Sequence, residues 1–249
     1  MKVSILTVVF NGAATIRQCI ESIVNQDYPD IEYIVVDGGS RDGTQDIVKS
    51  FEGKVSKFVS EKDAGIYDAM NKGIQLASGD IIGILNADDF YAFSTVVSEV
   101  VKLMQSGNYD ACYGDLEYVD FTNGSVVKRK WKSGLYRKGS FLNGWMPPHP
   151  TFFVRRELYE RLGKFRLDLG SAADYELMLR FVHKAEINIG YLPKVLVKMR
   201  SGGISNSSFK NRILANRNDL KAWKTNDLTP RFYTLWLKPL RKIFQFIKF

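Results

Sequence analysis

The chain has 249 residues, 45% hydrophobic and 25% charged, enough for one large domain or two small ones with an ordinary soluble core. Its two cysteines, Cys19 and Cys112, lie far apart with no C-x-x-C, which excludes a disulfide framework and a cysteine zinc motif and suits a reducing compartment. The net charge of +8 resides in residues 209–249, which carry ten Lys/Arg against two Asp, so a neutral body ends in a basic, aromatic tail that points to an acidic partner, membrane or nucleic acid.

Residues 3–10 predict a buried first strand. They are not a signal peptide, because Asn11-Gly12 follows at once and no small-residue cleavage site is present. Residues 15–26 predict a helix, with Ile16, Cys19, Ile20, Ile23 and Val24 at helical spacing and Thr15 able to cap it. Asp27-Tyr-Pro-Asp30 breaks that helix. A second strand over 32–36 runs into Asp37-Gly-Gly-Ser-Arg-Asp-Gly-Thr44, and a helix over 45–51 follows. A third strand over 55–60 ends in Glu61-Lys-Asp63 and leads to a helix over 66–77. The apolar run 81–85 reads as a fourth strand, closed by Asn86, Asp88 and Asp89 and followed by a helix over 94–104.

Strands alternating with helices, joined by connections too long for hairpins, imply an α/β fold with a mostly parallel central sheet and helices on both faces. In such sheets ligands bind beyond the carboxyl ends of the strands. Three successive strands end in Asp37, Asp63 and Asp88. Each alone is a common turn or cap residue, but three at neighbouring strand ends converge on one crevice. Hard oxygen donors there suit Mg²⁺ or Mn²⁺, which in turn hold a diphosphate. No G-x-G-x-x-G follows the first strand and no G-x-x-x-x-G-K-[ST] occurs, which argues against a dinucleotide-binding Rossmann domain and a P-loop NTPase.

Beyond Asp110 the pattern changes. Residues 111–115 and 117–121 read as strands, Asn123-Gly124 as a hairpin turn and 126–131 as the return strand. Residues 132–143 form a basic, Gly-containing loop. Met146-Pro-Pro-His-Pro150 reads as rigid and extended, 151–154 as a short strand, and 156–162 as a helix ending at Gly163. Residues 172–184 predict an amphipathic helix starting near Asp174, and 190–200 an extended segment in which Pro193 marks an edge or bend. The loop 201–206 is either an ordinary surface loop or, with its Gly-Gly hinge and Arg200, a lid over a ligand. His149 reads equally as a Pro-braced structural residue or a functional one, and His183 as solvated on a basic helix face.

Several of these stretches together resemble family 2 nucleotide-sugar glycosyltransferases. They are Thr7-Val-Val-Phe-Asn11, Val36-Asp-Gly-Gly-Ser-Arg-Asp-Gly-Thr44, Glu61-Lys-Asp-Ala-Gly-Ile-Tyr-Asp-Ala-Met-Asn-Lys-Gly73, Asn86-Ala-Asp-Asp89, His149-Pro-Thr-Phe-Phe153, Ala173-Asp-Tyr-Glu-Leu177 and Gly202-Gly-Ile-Ser205. The resemblance implies a GT-A (Rossmann-like) fold and an inverting transfer of a sugar, with UDP the default nucleotide and GDP or dTDP the alternatives. It implies that Thr7 and Phe10 line the nucleobase pocket and that Asp37 and Asp63 contact the nucleoside. Asn71 and Lys72 would face the nucleotide-sugar, and His149 would lie near the diphosphate. Asn86 and Asp88 take the two acid positions of the family's D-x-D motif, with Asp88 as the ligand of Mn²⁺ or Mg²⁺. Asp174 would be the catalytic base. Four departures stand out. The family's Asp-Asp-Gly-Ser is Asp37-Gly38-Gly39-Ser40 here, which leaves the first Asp in place. Asn86 removes one formal charge from D-x-D and lowers the expected metal affinity. Ala173 replaces the acid that usually precedes the base. Met70 stands where an Arg is common, leaving Lys72 as the nearby cation.

Residues 1–110 thus read as a nucleotide-sugar-binding half, 111–208 as the acceptor-binding half of the same domain, and 209–249 as a basic amphipathic extension. In that extension Trp236, Leu240, Ile243, Phe244 and Ile247 share one helical face, and Lys238, Arg241, Lys242, Gln245 and Lys248 the other. Such a helix either lies in an anionic membrane surface or packs its apolar face on the body, and that face could also form a homodimer. Nucleic-acid binding is disfavoured, because the segment carries no recognised motif. No apolar run approaches the ~20 residues needed to span a bilayer. The resemblance implies a cytoplasmic enzyme, peripheral on the inner face of the membrane, acting on a lipid-linked or other glycan acceptor in bacterial cell-surface polysaccharide assembly. The competing readings are a sugar-1-phosphate nucleotidyltransferase, disfavoured by the missing phosphate loop, and a degenerate homologue that scaffolds an assembly complex.

Overall fold

A computed structural model describes the backbone of residues 1–202 and 209–243 and the side chains of 1–202 and 215–241. Gly203 to Ser205 of the expected lid lie outside the described residues, as do the side chains of Lys242, Ile243, Phe244, Gln245, Ile247 and Lys248 in the tail.

The first half alternates as its pattern demands. Strands β1 (Val3–Val9), β2 (Ile31–Asp37), β3 (Lys57–Ser60) and β4 (Ile81–Ile84) are separated by helices α1 (Ile16–Val24), α2 (Thr44–Lys49) and α3 (Ile66–Leu76). The strands are parallel in the order β3-β2-β1-β4, with Val9 opposite Asp37 and Leu6 opposite Ile84. That register opens the loops after all four strands on one edge of the sheet. Every residue of β1 is buried, as expected of a strand covered on both faces. One face packs Leu6, Val8, Ile34 and Val36 on Met70 and Ile74 of α3. The other packs Ile5, Val35 and Ile81 on Ile16 and Ile20 of α1.

The second half extends the same sheet with mixed strand directions. After the two-residue β5 (Phe90–Tyr91) and α4 (Val96–Ser106) come β6 (Ala111–Val119), β7 (Val127–Trp131), β8 (Phe153–Arg155), α5 (Arg156–Leu162), α6 (Ala173–Met178) and β9 (Ile189–Arg200). Among the described residues nine strands form one sheet, ordered β3-β2-β1-β4-β8-β6-β9-β5, with β7 also on β6. Strand β8 is inserted antiparallel between β4 and β6, and β9 returns parallel to β6.

Several expectations are corrected here. The two strands expected over 111–121 are one, because β9 pairs along the whole of β6 and only slips register at Gly114 and Asp115. The slip absorbs Pro193, which has no N–H to give the ladder. Residues 149–151 make a 3₁₀ turn instead of extended chain, with the Thr151 hydroxyl donating to the Pro148 carbonyl at 2.9 Å, and this delays β8 to Phe153. The helix expected over 172–184 is α6 followed by a wider π turn, Leu179–Lys184. His183, on that turn, is half-buried between the rings of Phe141 and Trp223 instead of solvated, and burial pushes its pKa down.

The extension holds α7 (Phe209–Thr225) and α8 (Thr234–Ile243). Trp223 of α7 is fully buried and donates from its indole nitrogen to the Tyr175 hydroxyl at 2.8 Å. Helix α8 docks on the turn 140–143, where the Thr234 hydroxyl donates to the Leu142 carbonyl at 2.6 Å. No helix among the described residues is long and apolar enough to cross a membrane.

Candidate active site

The loops after β1, β2 and β3 build a small cradle. Phe10 ends up 66% exposed because Asn11, at φ 50°, turns the chain sharply after β1. Gly38 faces the Phe10 ring and Asp63: a Cβ there would lie 2.6 Å from Asp63 Oδ2 and 3.3 Å from the ring. Phe10, Gly38 and Asp63 therefore lie against one another, an exposed ring with a carboxylate at its side. Asp63 also accepts from the Gly65 amide at 2.9 Å, fixing the start of α3.

Four candidates are not on the wall of this cradle. Thr7 is fully buried beneath it, receiving a hydrogen bond from the Tyr33 hydroxyl at 3.1 Å. Asp37 is fully buried too. Its Oδ2 accepts from Ser40 N at 3.0 Å and Ser60 Oγ at 2.6 Å, and its Oδ1 from Ser40 Oγ, so it organises the loop that carries Gly38. The amide of Asn71 is used on both sides by the backbone of Phe165, donating at 2.9 Å and accepting at 3.0 Å. Lys72 is drawn away by Glu61 at 2.8 Å and Asp68 at 3.6 Å. The positions expected to touch the nucleotide-sugar are thus partly support, because their polar atoms are already paired within the chain.

The loop after β4 carries Asn86 and Asp88, both partly exposed, while Asp89 is fully buried. Burial pushes the Asp89 carboxyl well above its usual range, and the neighbouring Asp88 charge adds to this. The loop is held by Arg200 at the end of β9. Its guanidinium donates to the Asp88 carbonyl at 2.6 Å, to the Phe121 carbonyl at 3.1 Å and to Gln18 of α1, and lies over the Phe90 ring. Arg200 is nearly buried, so it is a fixed brace for the Asp88 loop; the lid role considered from the sequence does not describe it.

Among the described residues no three His, Cys, Asp or Glu side chains form a closed metal cage. A closed cage is not what the chemistry requires. Mg²⁺ and similar hard ions are commonly held by one or two carboxylates plus substrate phosphates. Asp88 supplies such a carboxylate, and the buried Oδ1 of Asn86 has no hydrogen-bond partner, which leaves an oxygen acceptor unsatisfied beside it. The residues present fit a divalent ion that shares its coordination with a bound diphosphate.

From Asn86 a polar chain leads to the candidate base. Asn86 Nδ2 lies 3.5 Å from His149 Nε2, and His149 Nδ1 lies 3.2 Å from Asp174 Oδ2. With the amide donating to Nε2, the imidazole carries its proton on Nδ1 and donates it to Asp174. Asp174 Oδ1 accepts from the Tyr175 amide at 2.8 Å and faces the Tyr67 hydroxyl at 3.4 Å. It sits in the first turn of α6, with Ala172 at the cap position, so it is not the helix cap. Burial pushes the Asp174 carboxyl up, but His149, Lys238 and the Tyr175 amide outweigh it and hold the carboxyl below its usual range. Behind the pair lies an apolar cavity of about 20 Å³, lined by Met70, Ile84, Phe152, Phe165, Leu177 and Met178. It is too small for a sugar and keeps the local dielectric low.

An exposed ring beside a carboxylate, a metal-competent loop and a partly buried carboxylate held in its ionised form lie along one edge of the sheet. Residues 4–163 match the model of glycosyl transferase family 2. The chain belongs to that family. It is 30% identical over 212 residues to the PGL/p-HBAD biosynthesis glycosyltransferase of Mycobacterium tuberculosis, covering 82% of this chain and 79% of that protein. Its fold is similar to that of S. aureus TarS 1–349 in complex with UDP, with a TM-score of 0.67, 20% identity, and coverage of 92% of this chain and 67% of that one. It is equally similar to the mannosyltransferase PcManGT from Pyrobaculum calidifontis in complex with GDP-Man and Mn²⁺, with a TM-score of 0.67, 20% identity, and coverage of 96% and 72%. The GT-A architecture expected of the sequence is therefore present in this family 2 glycosyltransferase.

Two contributors to the glycosyltransferase site were not singled out in the sequence. Tyr67 lies in the stretch 61–73 but looks there like an ordinary helix residue. Lys238 is far away in the chain and falls on the polar side of a helix, which by pattern alone would face water.

Proposed function

We propose that this glycosyltransferase transfers a sugar, with inversion, from a nucleoside-diphosphate sugar to a hydroxyl of a lipid-linked glycan acceptor. The observation that carries the proposal is the chain Asn86–His149–Asp174, which joins the Asp88 loop to a partly buried carboxylate held ionised. Phe10 and Asp63 would receive the base and ribose. UDP is the default nucleotide; the structural neighbours that carry UDP or GDP-Man support a nucleotide donor of this kind. A Mn²⁺ or Mg²⁺ ion held by Asp88, with Asn86 beside it, would stabilise the charge that gathers on the departing diphosphate.

The acceptor hydroxyl attacks the anomeric carbon from the face opposite the diphosphate. The new C–O bond forms as the bond to the diphosphate oxygen breaks, and Asp174 takes the hydroxyl proton. His149 donates to the other carboxylate oxygen and orients it. A low-dielectric surrounding strengthens both interactions. The nucleoside diphosphate leaves with the bonding pair.

The tail supports a peripheral position on an anionic membrane. Trp236 is 74% exposed, Leu240 50%, and Phe232, on the turn before α8, 92%. Spaced four apart and accompanied by exposed Arg231 and Arg241, they form an apolar stripe with cations nearby. On a bilayer this stripe would hold the site close to a lipid-linked acceptor.

A donor panel tests the reading. Melting temperature is measured with UDP-, GDP- and dTDP-sugars, with and without Mn²⁺. A ligand that binds only the folded state raises it by mass action. The expected result is a shift with one nucleotide class, enlarged by Mn²⁺ and losing that enlargement in Asp88→Ala. No shift with any donor overturns the proposal.

A further inference from the structure

Helix α8 reaches the ring of Tyr175, the residue next to Asp174, through Lys238. Its backbone passes so close to the turn after residues 140–143 that a Cβ on Gly144 would lie 2.5 Å from Lys238 N. This close approach aims Lys238 inward. Its Nζ lies 2.7 Å from Asp219 Oδ2 of α7 and 3.5 Å from the centre of the Tyr175 ring. The two charged side chains are only 14% and 7% exposed. A buried ion pair is weak evidence for a stabilising role, since its desolvation cost offsets much of the attraction. Lys238 is also the cation–π partner of Tyr175, the residue whose amide binds Asp174 Oδ1.

We infer that Lys238 is a positioning residue for Asp174: packed on the Tyr175 ring, it lets α8 hold the residue whose amide binds the base. This rests on Asp174 being that base. Asp174 contacts His149 from the 3₁₀ turn and Tyr67 from α3, and it interacts by charge with Tyr118 from β6 and Lys238 from α8. The Lys238 charge favours the carboxylate while burial opposes it, Asp219 paired to Lys238 acts in the opposite sense, and Arg129 lies over the Tyr118 ring. Asp219 and the Tyr175 ring hold the ammonium in place, so the field at Asp174 stays fixed as substrates enter.

The test is a carboxyl titration of the full chain, carrying ¹³C-labelled aspartate, by NMR. The Asp174 signal is assigned by its loss in Asp174→Asn. In Lys238→Met its midpoint is expected to rise by about one pH unit, at the low end of the effect of a close opposite charge. Lys238→Arg keeps the charge and is expected to keep the midpoint. The single substitution leaves Asp219 buried and unpaired and so risks the fold. The double variant Lys238→Met with Asp219→Leu removes both charges and is expected to show a smaller rise, because the lost Asp219 charge acts in the opposite sense. An unchanged midpoint in either methionine variant overturns the inference. Transfer activity of Asp174→Asn tests the base role separately: an active variant would overturn that role while leaving the measured coupling intact.

Discussion

Helices α1 and α8 carry the same kind of amphipathic pattern and use it in opposite ways. In α1 the apolar positions Ile16, Cys19, Ile20 and Ile23 are all buried against the sheet. In α8 the apolar positions Trp236 and Leu240 face outward, and the inward side presents Thr234 and Lys238. A soluble helix gains most of its stability by burying its apolar stripe. Helix α8 takes only part of that gain, through Leu235, and docks otherwise by polar contacts and a close backbone approach. The contrast separates the chain into a body that is finished in itself and a terminal helix that presents an unmatched apolar surface. The two meet at Leu142, at Gly144 and at the ring of Tyr175, next to Asp174.

The largest effect is expected where they meet. Asp174→Asn keeps the size and the hydrogen bond from Tyr175 N but cannot take a proton. Transfer is expected to fall about a thousandfold, within the range for loss of a general base, while the thermal shift with donor persists. Because His149 and Lys238 hold the Asp174 carboxyl below its usual range, the wild-type base stays ionised at neutral pH. Its activity is expected to fall only as pH drops below the ordinary carboxylate range. A steady-state rate profile against pH checks the sign. An acid limb near neutrality would show that the carboxyl is not held down, and would remove the link drawn between body and tail.

The body's self-sufficiency is tested at Glu32. This nearly buried carboxylate of β2 accepts from Ser4 Oγ at 2.6 Å, Ser78 N at 2.7 Å, Ser78 Oγ at 2.8 Å and Lys57 Nζ at 2.9 Å. Burial pushes its pKa up, but these donors outweigh it and leave the carboxyl well below its usual range. A depressed folded-state pKa gives stability that is present above the unfolded pKa and lost as pH falls through the folded one. Glu32→Gln is expected to cost about 3 kcal/mol at pH 7 by chemical denaturation, and less as the pH falls into the acid range. An equal cost at all pH values would show that shape, not charge, holds β1, β2 and β4 together there.

The legible and illegible parts of the chain follow the same division. The parallel strands and their helices were readable because each segment buries residues at its own period, as 81–85 and 15–26 do. The crevice loops were readable as well, since Asp63 and Asp88 follow strand ends. Partnership was not readable. Asp37 and Asn71 have the right chemistry for ligand contact, but their oxygens and amide are satisfied by Ser40, Ser60 and Phe165, a fact that depends on loop geometry. Strand β5 was missed because two residues carry no period. Lys238 was misread because periodicity reports which residues share a face and not which face turns inward. The close approach at Gly144 decides that, and it lies some ninety residues away in the chain.

The smallest expected effect bears on the outward stripe itself. Trp236→Ser with Leu240→Ser removes two side chains that make little contact with the body, so the melting temperature is expected to change by less than about 2 °C. Binding to vesicles of phosphatidylglycerol and phosphatidylcholine is expected to weaken roughly 30-fold, as partial burial of two apolar side chains is worth about 2 kcal/mol. Co-sedimentation measures it, and added salt weakens the wild type further if nearby Arg231 and Arg241 contribute by charge. If vesicle binding is unchanged while a concentration-dependent dimer disappears in sedimentation velocity, the stripe is a contact between two copies, and α8 then completes its apolar face as α1 does. If the double variant loses the membrane and keeps the Asp174 midpoint of the wild type, the two faces of α8 work independently. A helix that turns a lysine toward the base and a tryptophan toward the lipid would then have separated positioning from anchoring within ten residues.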